Sequence, residues 1–333
     1  MADVITVEHL TVAFPAKEGT GEVVRDVSLA IGAGERVGLV GESGSGKSLT
    51  ARAIMRLIPQ PGRVTGGAVS FEGAELGAKS ATKWRGTKIA MITQDPLSSL
   101  NPLVKIGTQI TEMLRYHRGL SRAEAAGKAE GLLRSVGIPD PRRTMTRYPA
   151  VLSGGMRQRV ALAIAISCEP RLLIADEPTT ALDVTVQAQV LTLLERMTSE
   201  HGSAVLLISH DLGVVGNFCD RLLVMYAGRI VESGPTADVI GNPTHPYTRA
   251  LLASIPSLRG DLPDRLASIP GSPPHGGGQG AGCAFAPRCP MAREVCRQTD
   301  PALLNISSSR TVPGDSHQAA CHAIGEDNWN QAA

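Results

Sequence analysis

Residues 41–48 read Gly-Glu-Ser-Gly-Ser-Gly-Lys-Ser, and no other stretch restricts the fold as strongly. The octet fits G-x-x-x-x-G-K-[ST], a phosphate-binding loop. Its flanks fit too: 35–40 read as a buried strand entering the loop and 49–57 as a helix leaving it. Gly41, Gly44 and Gly46 allow backbone angles that other residues resist, so successive N–H groups can turn inward onto a phosphate. The helix adds the positive end of its dipole. Lys47 is placed to reach β- and γ-phosphates and Ser48 to ligate Mg²⁺. Glu42, Ser43, Ser45 and Leu49 complete the expected nucleotide-binding set. A Gly/Ser turn that merely ends in Lys-Ser is the competing reading; strand, loop and helix in sequence oppose it.

The 333 residues suffice for one large domain with an appendage, or for two domains. An apolar fraction of 42% supports a core, and with 3% aromatics that core must be built from Val, Ile, Leu and Ala. A net charge of +2 gives no electrostatic case for nucleic acid as a partner. The N-terminus has no basic and apolar signal-peptide regions, and no apolar run nears the ~20 residues of a membrane span. The expectation is a soluble, cytosolic chain.

Alternation predicts strands over 4–14 and 23–31, with Phe14 placed either to stack on an adenine ring or to serve as an ordinary core residue. Strand character returns over 67–75 and 89–92. From 96 to 150 the pattern turns helical, with apolar residues at three- and four-residue spacing over 106–117 and 123–136. Leu152-Ser153-Gly154-Gly155-Met156-Arg157-Gln158 then opens an apolar helix. Residues 171–176 read as a buried strand ending in Asp176-Glu177-Pro178. Carboxylates at the C-terminal end of such a strand lie where open parallel sheets bind ligands. Asp176 suits a water-mediated hold on Mg²⁺ and Glu177 the polarising of an attacking water. A helix-capping Asp-Glu pair is the alternative. A helix over 184–201, a strand over 204–209 closing at His210-Asp211, and a hairpin turning at Ala227-Gly228 follow.

In this order the motifs resemble the ATP-binding subunit of an ABC transporter, over roughly residues 4–240. The resemblance implies an α/β P-loop ATPase core: a RecA-like parallel sheet, an antiparallel β subdomain and a helical signature subdomain. It adds a small Cys-containing C-terminal extension. The implied division is 1–240 for the nucleotide-binding domain, with its helical part about 96–155, then 241–270 extension, 271–282 linker and 283–333 tail. It also implies head-to-tail pairing of two such domains around ATP. Ser153, Gly154 and Gly155 would meet the partner's γ-phosphate, and Gln94 would contact Mg²⁺ or water. Asp183 would bridge the dimer, and His210 would contact the γ-phosphate in cis. Gln94-Asp95-Pro96-Leu97-Ser98-Ser99-Leu100-Asn101-Pro102, the Met156 of the signature and the stretch from Asn242 to Pro256 are similar to the dipeptide/oligopeptide importer branch. That branch also serves nickel, glutathione and other solutes.

Six cysteines in a reducing compartment are not expected as disulfides. Cys168 and Cys219 sit in apolar elements and read as core. Cys283, Cys289, Cys296 and Cys321 crowd the tail, and soft thiolates suit zinc or an iron–sulfur cluster, or the tail holds no metal. The branch resemblance implies a 4Fe-4S cluster; His317 and His322 keep Zn²⁺ open. The implied partners are two membrane permeases, a second ABC ATPase subunit (a paralogue) and an extracytoplasmic substrate-binding protein, at the cytoplasmic face of the inner or plasma membrane. A soluble ABC ATPase of DNA repair or translation competes, but its usual long insertions are missing between loop and signature. A dead regulatory subunit is opposed by Lys47, Glu177 and His210.

Overall fold

The structure, a computed structural model, describes residues 3–16, 19–95, 99–178, 184–254, 268–274, 280–306 and 316–324. The strands are β1 (Asp3–Ala16), β2 (Gly19–Gly32), β3 (Arg36–Val40), β4 (Arg63–Phe71), β5 (Ala74–Glu75), β6 (Ile89–Ile92), β7 (Leu172–Asp176), β8 (Ala204–Ser209), β9 (Arg221–Tyr226), β10 (Arg229–Pro235), β11 (Leu304–Asn305) and β12 (Gln318–Ala319). The helices are α1 (Lys47–Ile54), α2 (Ala78–Trp84), α3 (Ile106–Arg118), α4 (Arg122–Ser135), α5 (Pro141–Met145), α6 (Gly154–Ile166), α7 (Val184–His201), α8 (Leu212–Phe218), α9 (Thr236–Gly241), α10 (Pro246–Ala253) and α11 (Glu294–Gln298). The chain divides into two compact units: residues 1–5, 31–36 and 71–208, and residues 6–30, 37–70 and 209–333.

In the first unit β6, β7 and β8 run parallel, with Ile92 opposite Ala175 and Asp176 opposite Ile208. Every residue of β7 and β8 is buried, as the unbroken apolar runs require of strands covered on both faces. The helical segment forms as its periodicity predicts. Ile106, Ile110 and Leu114 line the buried face of α3, and Ala125, Ala129 and Leu133 that of α4. Ser121 and Glu124 close a reciprocal capping box at the start of α4, satisfying two end donors.

In the second unit β3 pairs parallel with β9, Val40 opposite Val224, and β9 turns back antiparallel into β10. The turn sits at Ala227-Gly228 as expected, with both φ positive at 48° and 85°, the twist a two-residue hairpin favours. The sheet then gains two short strands from the end of the chain: β12 pairs with β10 and β11 with β12, both antiparallel. A separate sheet in this unit runs β2-β1-β4. The expected strand over 67–75 is in fact two strands. Glu72 and Gly73 both take left-handed φ, 48° and 77°, and end β4 before β5 begins.

Candidate functional site

The phosphate-binding loop lies between β3 and α1. Gly41 has φ 152°, and a Cβ there would stand 2.1 Å from the Met225 carbonyl oxygen, so only glycine lets the loop leave β3 alongside β9. Gly46, at φ 105°, caps α1, which begins at Lys47 itself rather than after it. Lys47 is 5% exposed, and its ammonium donates to the carbonyls of Gly41 at 2.7 Å and Glu42 at 2.9 Å. Ser45 Oγ lies 3.4 Å from the same nitrogen, and Ser48 sits in the first turn of α1. Ser43 and Gly44 are exposed and Leu49 is half-buried. A tight glycine-framed loop, a helix N-terminus and one buried ammonium together form a receptor for a polyphosphate. Phe14 is half-buried near the end of β1, its ring against Gly62, where an added Cβ would come within 2.4 Å of it.

His210 lies in this unit, directly after Ser209. Ser209 Oγ accepts from the Asp211 N–H at 2.9 Å, and Asp211 caps α8 by accepting from the N–H groups of Gly213 and Val214. Those local bonds fix the backbone on both sides of an exposed imidazole.

The other expected residues lie in the first unit. Asp176 ends β7 and is 2% exposed. Glu177 follows with φ 48°, left-handed for a non-glycine residue, held by an N–H bond to the Ile208 carbonyl at 2.9 Å. That conformation costs about 1–3 kcal/mol and collects at functional sites. Continuing the β6–β7 register past Ile92 and Ala175 sets Gln94 beside Glu177, and Gln94 Nε2 donates to Glu177 Oε2 at 3.0 Å. Ser153 caps α6, its Oγ accepting from the Met156 N–H at 3.4 Å, with Gly154 and Gly155 in the first turn. The N-terminus of this thirteen-residue helix carries the polarity that suits an anion. Buried Gln158 donates to the Pro178 carbonyl at 2.7 Å and ties α6 to the segment after β7. Asp183 lies outside the described residues, as do Pro96, Leu97 and Ser98 of the stretch after Gln94.

Comparison with known proteins agrees with this geometry. Residues 24–180 match the family model "ABC transporter", and residues 231–296 match "Oligopeptide/dipeptide transporter, C-terminal region". A probable peptide ABC transporter ATP-binding protein of Sinorhizobium fredii is 48% identical over 95% of this chain and 94% of its own. The chain belongs to the ABC transporter family. The oligopeptide transport ATP-binding protein OppD of Salmonella typhimurium is 47% identical over 89% of each chain. A probable D,D-dipeptide transport ATP-binding protein of Escherichia coli is 49% identical over 96% of each. Among solved structures, a dimeric ATP-binding cassette in a post-hydrolysis state with ADP and phosphate superimposes with a TM-score of 0.64 at 29% identity. It covers 70% of this chain and 98% of that one. The fold is therefore the ABC ATPase fold. No helix among the described residues is long and apolar enough to cross a membrane.

The metal expected on the tail of this ABC subunit is a correction. Among the described residues no group of three or more His, Cys, Asp or Glu could hold a metal ion, so the iron–sulfur and zinc readings both fall. Cys283, Cys289, Cys296 and Cys321 do border one cavity, but with Phe285 and Met291, and its volume is about 20 Å³. That is room for about one water. Burial pushes the Cys283 thiol up to about 11 and shifts Cys289 and Cys321 the same way. Metal capture needs thiolates, which these surroundings oppose. Cys168 and Cys219 are buried core residues, as expected.

What holds the tail is charge and strand pairing. Asp300 pairs with Arg229 and stands 3.7 Å from Arg25. His317 Nε2 meets the fully buried Glu232 at 2.8 Å, a carboxylate that also accepts from the N–H groups of Thr244 and His245. Sequence reasoning passed over two residues that reach the phosphate-binding loop, Tyr247 of the extension and Arg288 of the tail. The Glu42 N–H donates to Tyr247 Oη at 2.8 Å, and the Arg288 guanidinium grips the Glu42 carboxylate at 2.6 and 3.0 Å. Arg288 stands beside Cys289 in the sequence, and no local motif marks it.

Proposed function

We propose that the chain is the ATP-hydrolysing subunit of an importer that carries di- and oligopeptides through two membrane permeases. The observation that carries the ATPase part is the buried Lys47 ammonium inside its glycine-framed loop. The peptide part rests on the match of residues 231–296 to the oligopeptide/dipeptide transporter C-terminal region, and on relatives whose names specify peptides.

In this reading the loop N–H groups and Lys47 bind the β- and γ-phosphates of ATP, and Phe14 stacks on the adenine. By the family resemblance Ser48, Asp176 and Gln94 would each contact Mg²⁺, and the ion would supply charge neutralisation for the phosphates. Glu177 takes the proton of the attacking water, and Gln94, hydrogen-bonded to it, aligns the carboxylate. His210 contacts the γ-phosphate. Ser153, Gly154 and Gly155 cover the nucleotide of a second ATPase subunit, a paralogue, and Asp183 bridges the two. Closure on ATP and release after hydrolysis then drive the permeases. The permease contact is assigned to the helical segment, where Leu103 is 84% exposed and Tyr116, 85% exposed, lines an open cleft with Gln109, Glu112 and Met113. The subunit works peripherally, on the cytoplasmic face of the membrane, with an extracytoplasmic binding protein delivering the solute.

Uptake of labelled di-, tri- and pentapeptides and of nickel by cells lacking the gene tests the substrate class. Loss of peptide uptake, restored by the wild-type gene and not by a Lys47→Ala copy, is the expected result. Loss of nickel uptake alone would replace peptide with metal while keeping the ATPase.

A further inference from the structure

We propose that Arg288 is a positioning residue for ATP: the C-terminal extension returns to the phosphate-binding loop and, through Glu42, neutralises and shapes it. The proposal rests on reading that loop as the ATP site.

Glu42 is engaged at each of its polar groups. Its N–H donates to the hydroxyl of Tyr247, a fully buried residue. Its carbonyl accepts from Lys47 at 2.9 Å. Both carboxylate oxygens take an Arg288 N–H, at 2.6 and 3.0 Å, the two-pronged geometry a guanidinium offers and an ammonium does not. The extension therefore fixes one residue from two directions, and that residue holds the catalytic lysine from the third.

Arg288 is itself held. Its side chain is 5% exposed. Nε donates to the Pro270 carbonyl at 2.8 Å, and Nη1 also reaches Tyr226 Oη at 3.3 Å. The Glu42 carboxylate raises the already high affinity of the guanidinium for its proton. Phe285 stacks edge-on against Tyr226 and packs on Tyr247, so the aromatic wall behind Arg288 is continuous with the wall behind Glu42.

The electrostatic argument follows from where Glu42 sits. A loop that collects N–H groups and a lysine to receive a polyphosphate carries a carboxylate at its second position. Unpaired, that charge repels the phosphates and competes for Lys47. Paired with Arg288 it is neutral to the ligand and becomes an anchor for the loop. The short bidentate pair, buried on the Arg288 side and part-exposed at Glu42, thus allows an acidic residue inside an anion site.

Equilibrium binding of a fluorescent ATP analogue with Mg²⁺ to the full-length chain tests this, with thermal melting alongside. Arg288→Ala is expected to weaken binding about tenfold, the order that one extra, largely water-screened negative charge near a phosphate produces. The double variant Arg288→Ala/Glu42→Gln is expected to recover to within about threefold of wild type, because the stranded carboxylate goes with it. Arg288→Lys, keeping charge without the fork, is expected to fall between. A purely structural arginine would lower the melting temperature in single and double variants alike and show no such recovery. If Arg288→Ala does not fold, Arg288→Lys with and without Glu42→Gln gives the same comparison. Unchanged affinity in the single variant, or no recovery in the double, overturns the proposal. A wild-type chain that binds no nucleotide would instead overturn the ATP-site reading beneath it.

Discussion

The Gln94 side-chain amide donates to the Glu177 carboxylate at 3.0 Å, across neighbouring parallel strands whose register sets the two residues side by side. On the proposed reading Glu177 is the base, and removing its charge takes away its chemistry and little else. Glu177→Gln is expected to lower steady-state ATP hydrolysis by roughly 10²–10⁴ while leaving nucleotide affinity within a few-fold of wild type. Phosphate release and equilibrium binding measured on one preparation check it; near-normal turnover would remove Glu177 from the base's role.

Tyr247 offers a separate test of the loop's anchor. Its hydroxyl accepts the Glu42 N–H at 2.8 Å, and its ring is fully buried. Tyr247→Phe keeps the ring and strands the N–H, which costs about 1–3 kcal/mol. Urea unfolding should show a lower midpoint with an unchanged slope. A variant as stable as wild type would mean that water replaces the hydroxyl.

Acid should loosen the chain's end through Glu232. Burial alone would raise this carboxyl, but the hydrogen bonds from His317 and from the N–H groups of Thr244 and His245 outweigh it and hold it below its ordinary 4.5. A depressed carboxylate contributes its stability in full above the unfolded value and loses it as pH falls through the folded one. The melting-temperature gap between wild type and Glu232→Gln should therefore be largest near pH 7 and shrink below about pH 4.5. A gap constant from neutral to acid would assign the effect to packing alone.

The Cys283, Cys289 and Cys321 thiols should behave as protonated groups. Burial pushes Cys283 up to about 11, against the smaller pull of the Phe285 and Ala286 N–H groups. Alkylation of Cys283 by iodoacetamide, read by mass spectrometry, should run more than tenfold slower than that of an exposed thiol at neutral pH and keep rising through pH 10. A plateau near pH 8.5 would show a thiol at its ordinary value.

Much of this was legible in the sequence because the signals are local. The buried runs at 204–209 and 221–226, the Ala227-Gly228 turn and the octet at 41–48 each declare themselves within ten residues. Helix α2 and the break at Glu72-Gly73 were missed, since neither carries a Pro or a strong period. The two-residue strands β11 and β12 exist only because β10 offers an edge, and no pattern in so short a segment can announce that. The tail was misread because closeness of cysteines in sequence was taken for metal chemistry, which depends on donor geometry and on a dielectric that favours thiolate. Arg288 and Tyr247 were invisible for the opposite reason: their meaning lies entirely in a residue more than 200 positions away.

The Glu42–Arg288 pair spans 246 residues. During synthesis the octet leaves the ribosome early, yet the guanidinium that balances its acidic side chain is made only when most of the chain is out. Nascent chains and products truncated before residue 288 must therefore carry a phosphate loop with an unbalanced carboxylate. On the role proposed for Arg288, full nucleotide affinity would arrive only after residue 288 is made, and chains cut short of it would be poor competitors for ATP.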